Sequence, residues 1–236
     1  MIKNSKFLTV PELDKIPWLV HGFGLAGFGL ESLADEREFS SFHPVVLKQL
    51  HSSRVFCLYE KPLRQLAGDG LVTSATGLML IIRTADCLPV FLVDAENRAV
   101  AAVHCGWRST AQKILAVTVD LMVKKFRSRP ENLLAAFGPC IERNCYQVGP
   151  EVAEIFTRAV FDSGKILSPA DRPGKFYLDL REANRSLLIN QLGLRAENIH
   201  EIDLCTFCQP DLHSYRRERQ TNSRLINFAG IRGRLI

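Results

Sequence analysis

The sequence has no long uninterrupted apolar segment. Its longest apolar stretch, GLMLIIRTADCLPVFLV at 77–93, is interrupted by Arg83 and Asp86. It is also shorter than the roughly 20 residues that a membrane-spanning helix needs. Near the N-terminus, charges such as Lys6 and Glu12 interrupt any run that would be typical of a signal peptide. We therefore expect a cytoplasmic protein with no membrane anchor or export signal.

The sequence also lacks a dense basic region and a disulfide framework. Its 30 Lys and Arg residues against 25 Asp and Glu give a formal net charge of only +5, and the basic residues are mostly scattered. A nucleic-acid duplex usually needs a denser basic face, so the charge favours a small anionic ligand and no nucleic-acid partner. The seven cysteines are an odd number. In a cytoplasmic chain they are expected to be reduced, as buried side chains or metal ligands.

No repeat, low-complexity run or flexible linker is visible, so we predict a single domain over residues 1–236. Continuous apolar runs at 70–82, 88–93 and 99–104 predict three strands that are covered on both faces. Further strands are predicted at 133–138 and 199–205, and helices from Ser109 or Thr110 through Phe126, from 150 to 160, and from 181 to Gly193. This mixture of strands and helices indicates a layered α+β or α/β domain.

Three residues of metal-ligand type stand at the ends of apolar runs. His51 follows PVVLKQL, Cys87 lies between two predicted strands, and His104 ends AVAAVH. Two imidazoles and one thiolate form a set that zinc accepts, with a fourth position left for water. Water bound in this way could ionise near neutral pH and attack a substrate. A single His or Cys beside an apolar strand is more often a packed core residue, so the prediction depends on convergence of all three.

The neighbours of these residues offer a second choice of ligands. Consecutive side chains of an extended strand point to opposite faces, so only one residue of each adjacent pair can face the site. His104 with Cys87 is one consistent choice, and Cys105 with Asp86 is the other. The pattern alone leaves both open.

Three further motifs carry candidate functional residues. Gly106 and Arg108 lie at a strand-to-helix turn, which is either an anion site formed by helix N–H groups and a guanidinium, or an ordinary turn with a surface arginine. SYRRE at 214–218 is either an anion-binding pair with a stacking tyrosine or a solvated run of charges. CTFC at 205–208 has the spacing of a zinc knuckle but no second pair at a suitable distance, which favours a structural role.

Five segments together resemble one known family. They are QLHSSRV, DGLVTSATGLMLIIRTADCLPVFLVD, AVAAVHCGWRST, AAFGPCIERNCYQVGPEV and DLCTFCQPDLHSYRR, in family order over about residues 44–220. The chain resembles the multicopper polyphenol oxidase (laccase-like) domain family. Members of that family are also described as zinc-containing purine nucleoside phosphorylases with adenosine deaminase activity.

The resemblance implies a fold, a metal site and a pocket. The implied fold is an α-β-β-α sandwich in which two central mixed sheets are flanked by helices. The implied zinc ligands are His51, Cys87 and His104, which also act in catalysis, so Cys105 would face the packed side. The weaker substrate-binding candidates in the other motifs are Gln49, Asp86, Arg108, Cys140, Tyr215 and Arg216. After HGF the chain lacks the family's Arg and Gly-Gly-x-Ser, so the resemblance extends no substrate contact to that segment.

The expected function is a zinc-dependent purine nucleoside enzyme that cleaves inosine, guanosine and adenosine with phosphate and also deaminates adenosine. A four-copper laccase centre does not fit in one chain, because it needs about a dozen imidazole and thiolate ligands, and this chain has six histidines and no His-x-His. A polyphenol oxidase with a single copper site is one competing hypothesis. A Cys-His hydrolase that acts as an amidase on a peptidoglycan precursor is a second, and a binding protein without turnover is a third.

Overall fold

A computed structural model of the chain describes residues 6–159, 163–219 and 222–233. The strands are β1 (Phe7–Leu8), β2 (Leu19–Gly24), β3 (His43–Val46), β4 (Val55–Leu58), β5 (Gly70–Thr73), β6 (Leu78–Thr84), β7 (Leu88–Asp94), β8 (Ala99–Cys105), β9 (Leu134–Phe137), β10 (Gln147–Val148), β11 (Leu167–Pro169), β12 (Phe176–Leu178), β13 (Ile199–Glu201) and β14 (Leu225–Ile231). The helices are α1 (Pro11–Asp14), α2 (Leu30–Asp35), α3 (Trp107–Ala111), α4 (Ile114–Phe126), α5 (Pro150–Arg158), α6 (Ser163–Ile166), α7 (Leu180–Ser186) and α8 (Tyr215–Glu218).

Two mixed sheets pack face to face. Within the described ranges, one sheet has six strands in the order β13-β9-β7-β8-β5-β4, and the other has five in the order β1-β2-β14-β6-β3. Their facing sides share one apolar core, in which the rings of Phe23 and Phe91 stack with centroids 4.6 Å apart. A smaller three-stranded sheet, β10-β12-β11, lies beside them.

Helices cover the outer faces of both sheets. Leu115 of α4, Phe156 of α5 and Ala183 of α7 join the core on the outer side of the six-stranded sheet. Leu33 of α2 joins Phe228 and its neighbours on the outer side of the five-stranded sheet. The layer order is helix, sheet, sheet, helix, so the predicted α+β sandwich is confirmed. Among the described residues, no helix has the length and apolar character to cross a membrane.

The predictions for 88–93, 99–104 and 133–138 are confirmed by β7, β8 and β9. Every residue of β7 and β8 is buried, because each strand is covered on both faces. The two strands pair antiparallel with Pro89 opposite His104. This register brings the predicted ligands Cys87 and His104 to the same end of the pair.

The prediction of one strand over 70–82 is wrong, because β5 and β6 are separate strands in different sheets. Between them the hydroxyl of Thr73 donates to the Leu58 carbonyl and accepts from the Ala75 N–H. Gly77, at a φ of 77°, completes the turn. Both strands are apolar and the turn between them is short, so the sequence pattern does not reveal that the chain passes from one sheet to the other.

The predicted helix over 109–126 is interrupted. Its first part, α3, begins at Trp107 after Gly106, and Lys113 at a φ of 55° separates it from α4. Ser109 and Thr110 are buried inside α3 and do not cap it. The Ser109 hydroxyl instead donates to the His104 carbonyl at 2.9 Å, which ties α3 to the end of β8.

The remaining elements differ from prediction mainly at their ends. Helix α5 begins at Pro150 as predicted, and its predicted end at 160 lies outside the described residues. Helix α7 continues as a π-helix through 187–191, and Gly193 at a φ of 78° follows as predicted. The strand predicted over 199–205 ends at Glu201, after which only Cys205 forms an isolated bridge with Cys140.

Candidate metal centre

Three side chains of metal-ligand type converge at one end of the six-stranded sheet. One ligand atom from each of His51, Cys87 and His104 lies within 4.8 Å of the other two. The rings of His51 and His104 have centroids 4.8 Å apart. Cys87 immediately precedes β7, His104 is the penultimate residue of β8, and His51 comes from the loop before β4. Residues that are distant in sequence therefore form one cluster, called here the His-Cys-His cluster.

Asp69 organises both histidines. Its carboxylate is completely buried and accepts the backbone N–H groups of His51 at 2.9 Å and Ser52 at 2.7 Å. Its Oδ1 also lies 2.9 Å from Nδ1 of His104. A carboxylate can only accept, so Nδ1 of His104 carries a proton, and in the neutral ring Nε2 is the nitrogen with a lone pair for a ligand.

The ionisable groups of the cluster shift one another's pKa values toward the charged forms. Burial alone would raise the pKa of Asp69, but hydrogen bonds from His104 and Ser52 lower it to about 2. Burial also opposes ionisation of Cys87 and His104, yet their mutual attraction lowers the pKa of the thiol and raises that of the imidazole. The Cys87 sulfur is therefore easily converted to a thiolate, which is the form that binds a metal.

Gly106 leaves the space that the cluster needs. A Cβ atom at this position would lie 3.0 Å from Cδ2 of His51 and 3.1 Å from Sγ of Cys87. The backbone at Gly106, with a φ of −77°, is open to any residue, so the space and not the conformation requires glycine. Two imidazoles and a thiolate around this space fit the donor set of a zinc ion.

Strand alternation separates one adjacent pair and not the other. His104 faces the cluster, whereas Cys105 is fully buried in the core beneath α4. Asp86 and Cys87, by contrast, both line the same cavity. The rule of alternation is wrong there, because Asp86 precedes β7 and has a φ of 85°, a left-handed conformation outside any strand.

The His-Cys-His cluster opens into a cavity of about 830 Å³. Aromatic side chains of Trp107, Tyr146 and Tyr215 form part of its lining. The side chain of Tyr215 is exposed, while that of Tyr146 is mostly buried. A cavity of this size with apolar ring faces is typical of a site for a small organic ligand.

The cavity is lined by four arginines, Arg83, Arg108, Arg216 and Arg224. Arg108 stacks on Trp107 with its guanidinium carbon 4.1 Å from the ring centroid, and Arg216 lies 5.4 Å from that of Tyr146. Within the described part of the chain, Nε of Arg83 is buried and has no hydrogen-bond partner. A buried guanidinium N–H without a partner, in a cavity rich in positive charge, favours an anionic ligand group.

Five of the six other predicted pocket residues line this cavity. The polar groups of two of them form hydrogen bonds with neighbouring residues of the chain. The amide of Gln49 donates to the Arg83 carbonyl and accepts the Arg83 N–H, both at 2.8 Å. The Asp86 carboxylate accepts the Thr206 hydroxyl and the Arg216 N–H, both at 2.7 Å. These two residues position the cavity wall.

Cys140 is the exception. Its side chain is fully buried in the core under the helices and does not line the cavity. Burial raises the pKa of its thiol to about 12. The structure therefore does not bring Cys140 to the ligand space, although its backbone carbonyl accepts the Thr206 N–H at 3.0 Å and helps to position that loop.

Sequence reasoning missed several residues of the site. Arg83 had a visible signal, since it is a charge inside the apolar run of β6, and Asp69 is an acidic residue directly before β5. Arg217 belongs to the SYRRE motif, in which an anion-binding pair is one interpretation, but it does not line the cavity. Its guanidinium donates to the carbonyls of Thr206, Phe207 and Gln209 at 2.8–3.0 Å and so holds the 206–209 turn.

Comparisons with known proteins agree with this architecture. Over 174 residues the chain is 36% identical to adenosine deaminase RL5 from an unknown prokaryotic organism, covering 70% of this chain and 66% of that protein. Over 143 residues it is 36% identical to a purine nucleoside phosphorylase of Bacteroides thetaiotaomicron, covering 61% of this chain and 53% of that protein. The chain therefore spans about half to two thirds of the length of these relatives.

The fold is also that of a solved structure. The crystal structure of YfiH from Bacillus licheniformis superposes with a TM-score of 0.86 at 24% identity, covering 97% of this chain and 98% of that one. Residues 30–232 match the family described as multi-copper polyphenol oxidoreductase laccase. With most of its length matched, the chain belongs to this multi-copper polyphenol oxidoreductase laccase family.

Proposed function

We propose that the protein is a metal-dependent purine nucleoside enzyme that cleaves nucleosides with phosphate and deaminates adenosine. The observation that carries the proposal is the position of the His-Cys-His cluster in a cavity lined by arginines and aromatic rings. Two relatives at 36% identity are named adenosine deaminase and purine nucleoside phosphorylase, which supports the same substrate class. The assignment of His51, Cys87 and His104 as metal ligands belongs to this proposal.

The chemistry of the lining suits a nucleoside and phosphate. Trp107, Tyr146 and Tyr215 offer ring faces on which a purine can stack. Arg83 and Arg108 supply guanidinium groups for the phosphate, whose oxygen forms the new bond to C1′ of the ribose while the bond from C1′ to the purine breaks. In deamination, the oxygen of water bonds to C6 of adenosine and ammonia leaves.

The His-Cys-His cluster fits a zinc ion as this enzyme's cofactor. Zinc held by these residues would supply Lewis acidity to the cavity and activate water near neutral pH. The protein's own contribution is to hold the proton of the neutral His104 ring on Nδ1 through Asp69, which leaves Nε2 as the nitrogen for the metal, and to lower the pKa of the Cys87 thiol. The arginines hold the anion, and the aromatic residues orient the base beside the cluster.

Product analysis tests the proposal directly. Purified protein loaded with zinc is incubated with adenosine alone, and separately with inosine and phosphate, and the products are separated by chromatography. We expect inosine from the first reaction and hypoxanthine with ribose 1-phosphate from the second. The absence of both products from protein that binds zinc would overturn the proposal.

A second function is supported by a specific contact. Cys87, His104 and Asp69 form a chain of thiol, imidazole and carboxylate, in which Asp69 bonds to Nδ1 of His104 at 2.9 Å. A thiolate paired with an imidazolium is the arrangement of a cysteine hydrolase, such as an amidase acting on a peptidoglycan precursor. Such an enzyme would remain active in a chelator and would be inactivated by alkylation of Cys87, whereas the purine nucleoside enzyme requires its metal.

The identity of the metal is tested in the same preparation. We propose zinc over copper because the cluster offers two imidazoles and one thiolate with no arrangement for several copper ions, and the chain has only six histidines. Metal analysis after loading with each ion alone, followed by the nucleoside assay and a polyphenol oxidation assay, distinguishes a zinc enzyme from an oxidase with one copper site.

A further inference from the structure

A second group of metal-ligand side chains lies apart from the His-Cys-His cluster. The sulfur atoms of Cys145, Cys205 and Cys208 all lie within 4.8 Å of one another. Cys145 ends a short 3₁₀ helix at Arg143–Cys145, and the other two residues are the ends of the CTFC motif. The motif lacks a second pair in sequence, but the fold supplies the third thiol from 63 residues away. These residues are called here the three-thiol cluster.

The distances between the sulfur atoms are close to those around a tetrahedral metal. With bonds of about 2.3 Å, two thiolate ligands of zinc are about 3.8 Å apart. The sulfur atoms of Cys145 and Cys208 are 3.5 Å apart, and the third lies within 4.8 Å of both. Small movements of the side chains would therefore place all three sulfur atoms at bonding distance from one ion.

The backbone around the three-thiol cluster is already fixed. The N–H of Gln209 donates to the Cys205 carbonyl at 3.0 Å, which closes the CTFC turn and brings its two thiols to one side. The N–H of Glu142 approaches the Cys205 sulfur at 3.5 Å, a contact typical of thiolates that bind a metal. Arg217 holds the carbonyls of the same turn.

We propose that Cys145, Cys205 and Cys208 form a second metal site that takes Zn²⁺. Thiolates are soft ligands and select thiophilic cations of this kind. On binding, the three thiols lose three protons to solvent and form three Zn–S bonds, with no change of oxidation state. Cys208 is exposed, so a water molecule can complete the coordination from solvent.

The second site stabilises one wall of the cavity. Thr206 lies inside the CTFC turn and donates its hydroxyl to Asp86, the residue before Cys87. Zinc in the three-thiol cluster would link the turn to the segment that contains Cys145. We therefore assign this ion a structural role, separate from the chemistry of the His-Cys-His cluster.

Zinc stoichiometry tests the proposal. Protein stripped with a chelator is reloaded with Zn²⁺, passed through a desalting column and analysed for zinc per chain. We expect two ions in the unaltered protein and in the control Cys57→Ser, which alters a thiol outside both clusters. Cys208→Ser and Cys145→Ser should each bind one. Because Cys208 is exposed, its replacement preserves folding, and circular dichroism verifies this.

The same measurement separates this proposal from the proposed function. Cys87→Ser should also bind one ion, retained in the three-thiol cluster. A single ion in the unaltered protein that Cys208→Ser keeps and Cys87→Ser loses would overturn the second site and leave the enzyme proposal intact. A single ion with the opposite behaviour would support the second site and contradict the first.

Cobalt provides a readout that does not depend on activity. Co²⁺ bound by three thiolates absorbs more strongly in the near ultraviolet, through charge transfer from sulfur, than Co²⁺ bound by one. We expect Cys87→Ser to retain most of this absorption and Cys208→Ser to lose most of it. Equal losses in the two variants would contradict the assignment.

Thiol counting tests the competing chemistry, a disulfide between Cys145 and Cys208. Protein purified under nitrogen is denatured in chelator and titrated with a thiol reagent. The metal site requires the thiols of Cys145, Cys205 and Cys208 to react, and the fully reduced chain gives a count of seven. A count two lower, with the 145–208 pair identified by mass spectrometry, would overturn the metal site.

Discussion

Asp69 shows how far the geometry of the proposed metal site depends on a residue that would not bind the metal. Both of its oxygens accept hydrogen bonds, from the backbone at His51 and Ser52 and from the ring of His104. The carboxylate thus fixes the backbone that presents one imidazole and the tautomer of the other. A neutral amide of the same shape cannot accept all of these hydrogen bonds.

We predict that Asp69→Asn weakens zinc binding at the His-Cys-His cluster by about 10- to 100-fold. The physical reason is that the amide nitrogen faces an N–H donor and no longer stabilises the protonated Nδ1 of His104. Competition with a chromophoric chelator measures the affinity. The matched control is Asp94→Asn, another buried carboxylate that accepts backbone N–H groups, at the end of β7. Equal affinity in the two variants would contradict the role of Asp69.

The adjacent pair His104 and Cys105 gives a second test at the residue scale. His104→Ala should lose the first zinc ion and reduce nucleoside turnover by more than about 100-fold, since even residues that only support ligands can cost that much. Cys105→Ala should keep metal and turnover, because its side chain lies in the core and not in the cavity. Zinc analysis and product assays on both variants check this, and loss of metal in Cys105→Ala alone would reverse the assignment.

Arg83 separates the two proposed reactions. Its buried Nε has no partner among the described residues, so a phosphate oxygen would satisfy it. We predict that Arg83→Met raises KM for phosphate in phosphorolysis by about 10- to 100-fold. This factor corresponds to the free energy of one lost charge-assisted hydrogen bond. Deamination of adenosine, which uses no phosphate, should change little. The control Arg172→Met alters an exposed arginine outside the cavity lining.

At the scale of elements, the link between β8 and α3 determines whether the ligands fit together. Gly106 lies between the two elements, and the His104 carbonyl just before it accepts the Ser109 hydroxyl from inside α3. The helix therefore starts close to the proposed ligands. The space beside them exists because Gly106 has no side chain.

We predict that Gly106→Ala preserves the fold and weakens zinc binding by about 10- to 100-fold, corresponding to about 1–3 kcal/mol of overpacking. The new methyl group would press on His51 and on the Cys87 sulfur, at 3.0 and 3.1 Å. Gly29→Ala is the control, because a Cβ there meets nothing within 4 Å and its φ of −107° suits alanine. Zinc affinity and thermal melting are measured for both. An unchanged zinc affinity in Gly106→Ala would contradict the prediction, because the cluster would then accommodate a methyl group at this position.

How well the strands and their bounds could be predicted from the sequence depends on how the strands are buried. β7, β8 and β9 were predictable because strands covered on both faces are continuous apolar runs. The same property concealed the boundary between β5 and β6, since an apolar run does not show where the chain changes sheets. The break at Lys113 was also hidden, because the apolar stripe of α4 begins directly after it.

The site itself was only partly predictable. The residue types at 51, 87 and 104 indicated a metal, and strand alternation correctly separated His104 from Cys105. The hydrogen bonds of Asp69 and the meeting of Cys145 with the CTFC turn depend on the tertiary fold. No local pattern encodes contacts between segments so far apart in sequence.

At the scale of the whole molecule, a buried histidine links stability to pH. His21 in β2 is buried, and its Nε2 accepts the Val10 N–H at 2.9 Å, which requires the neutral ring. Burial lowers its pKa, although the nearby Asp14 opposes the shift. The unfolded chain, with the ordinary histidine pKa of about 6.5, therefore takes up this proton before the folded chain does.

It follows that His21 makes the free energy of unfolding decrease as the pH falls below about 6.5. We predict that His21→Gln, whose amide oxygen can still accept the Val10 N–H, has a smaller decrease between pH 7.5 and pH 5.5 than the unaltered protein. Urea denaturation at both pH values measures the difference. An equal decrease in both proteins would assign the pH dependence to other groups.

The antiparallel pairing of β7 and β8 also has a consequence for how the protein tolerates change. Pro89 lies opposite His104, so the register that buries Val90 against Val103 also determines which residue at the end of β8 faces the cavity. A slip of one residue would turn Cys105 toward the cavity and His104 into the core. The packing of the core therefore also determines which side chain faces the cavity, and we expect substitutions that preserve side-chain volume in these strands to preserve the geometry of the His-Cys-His cluster.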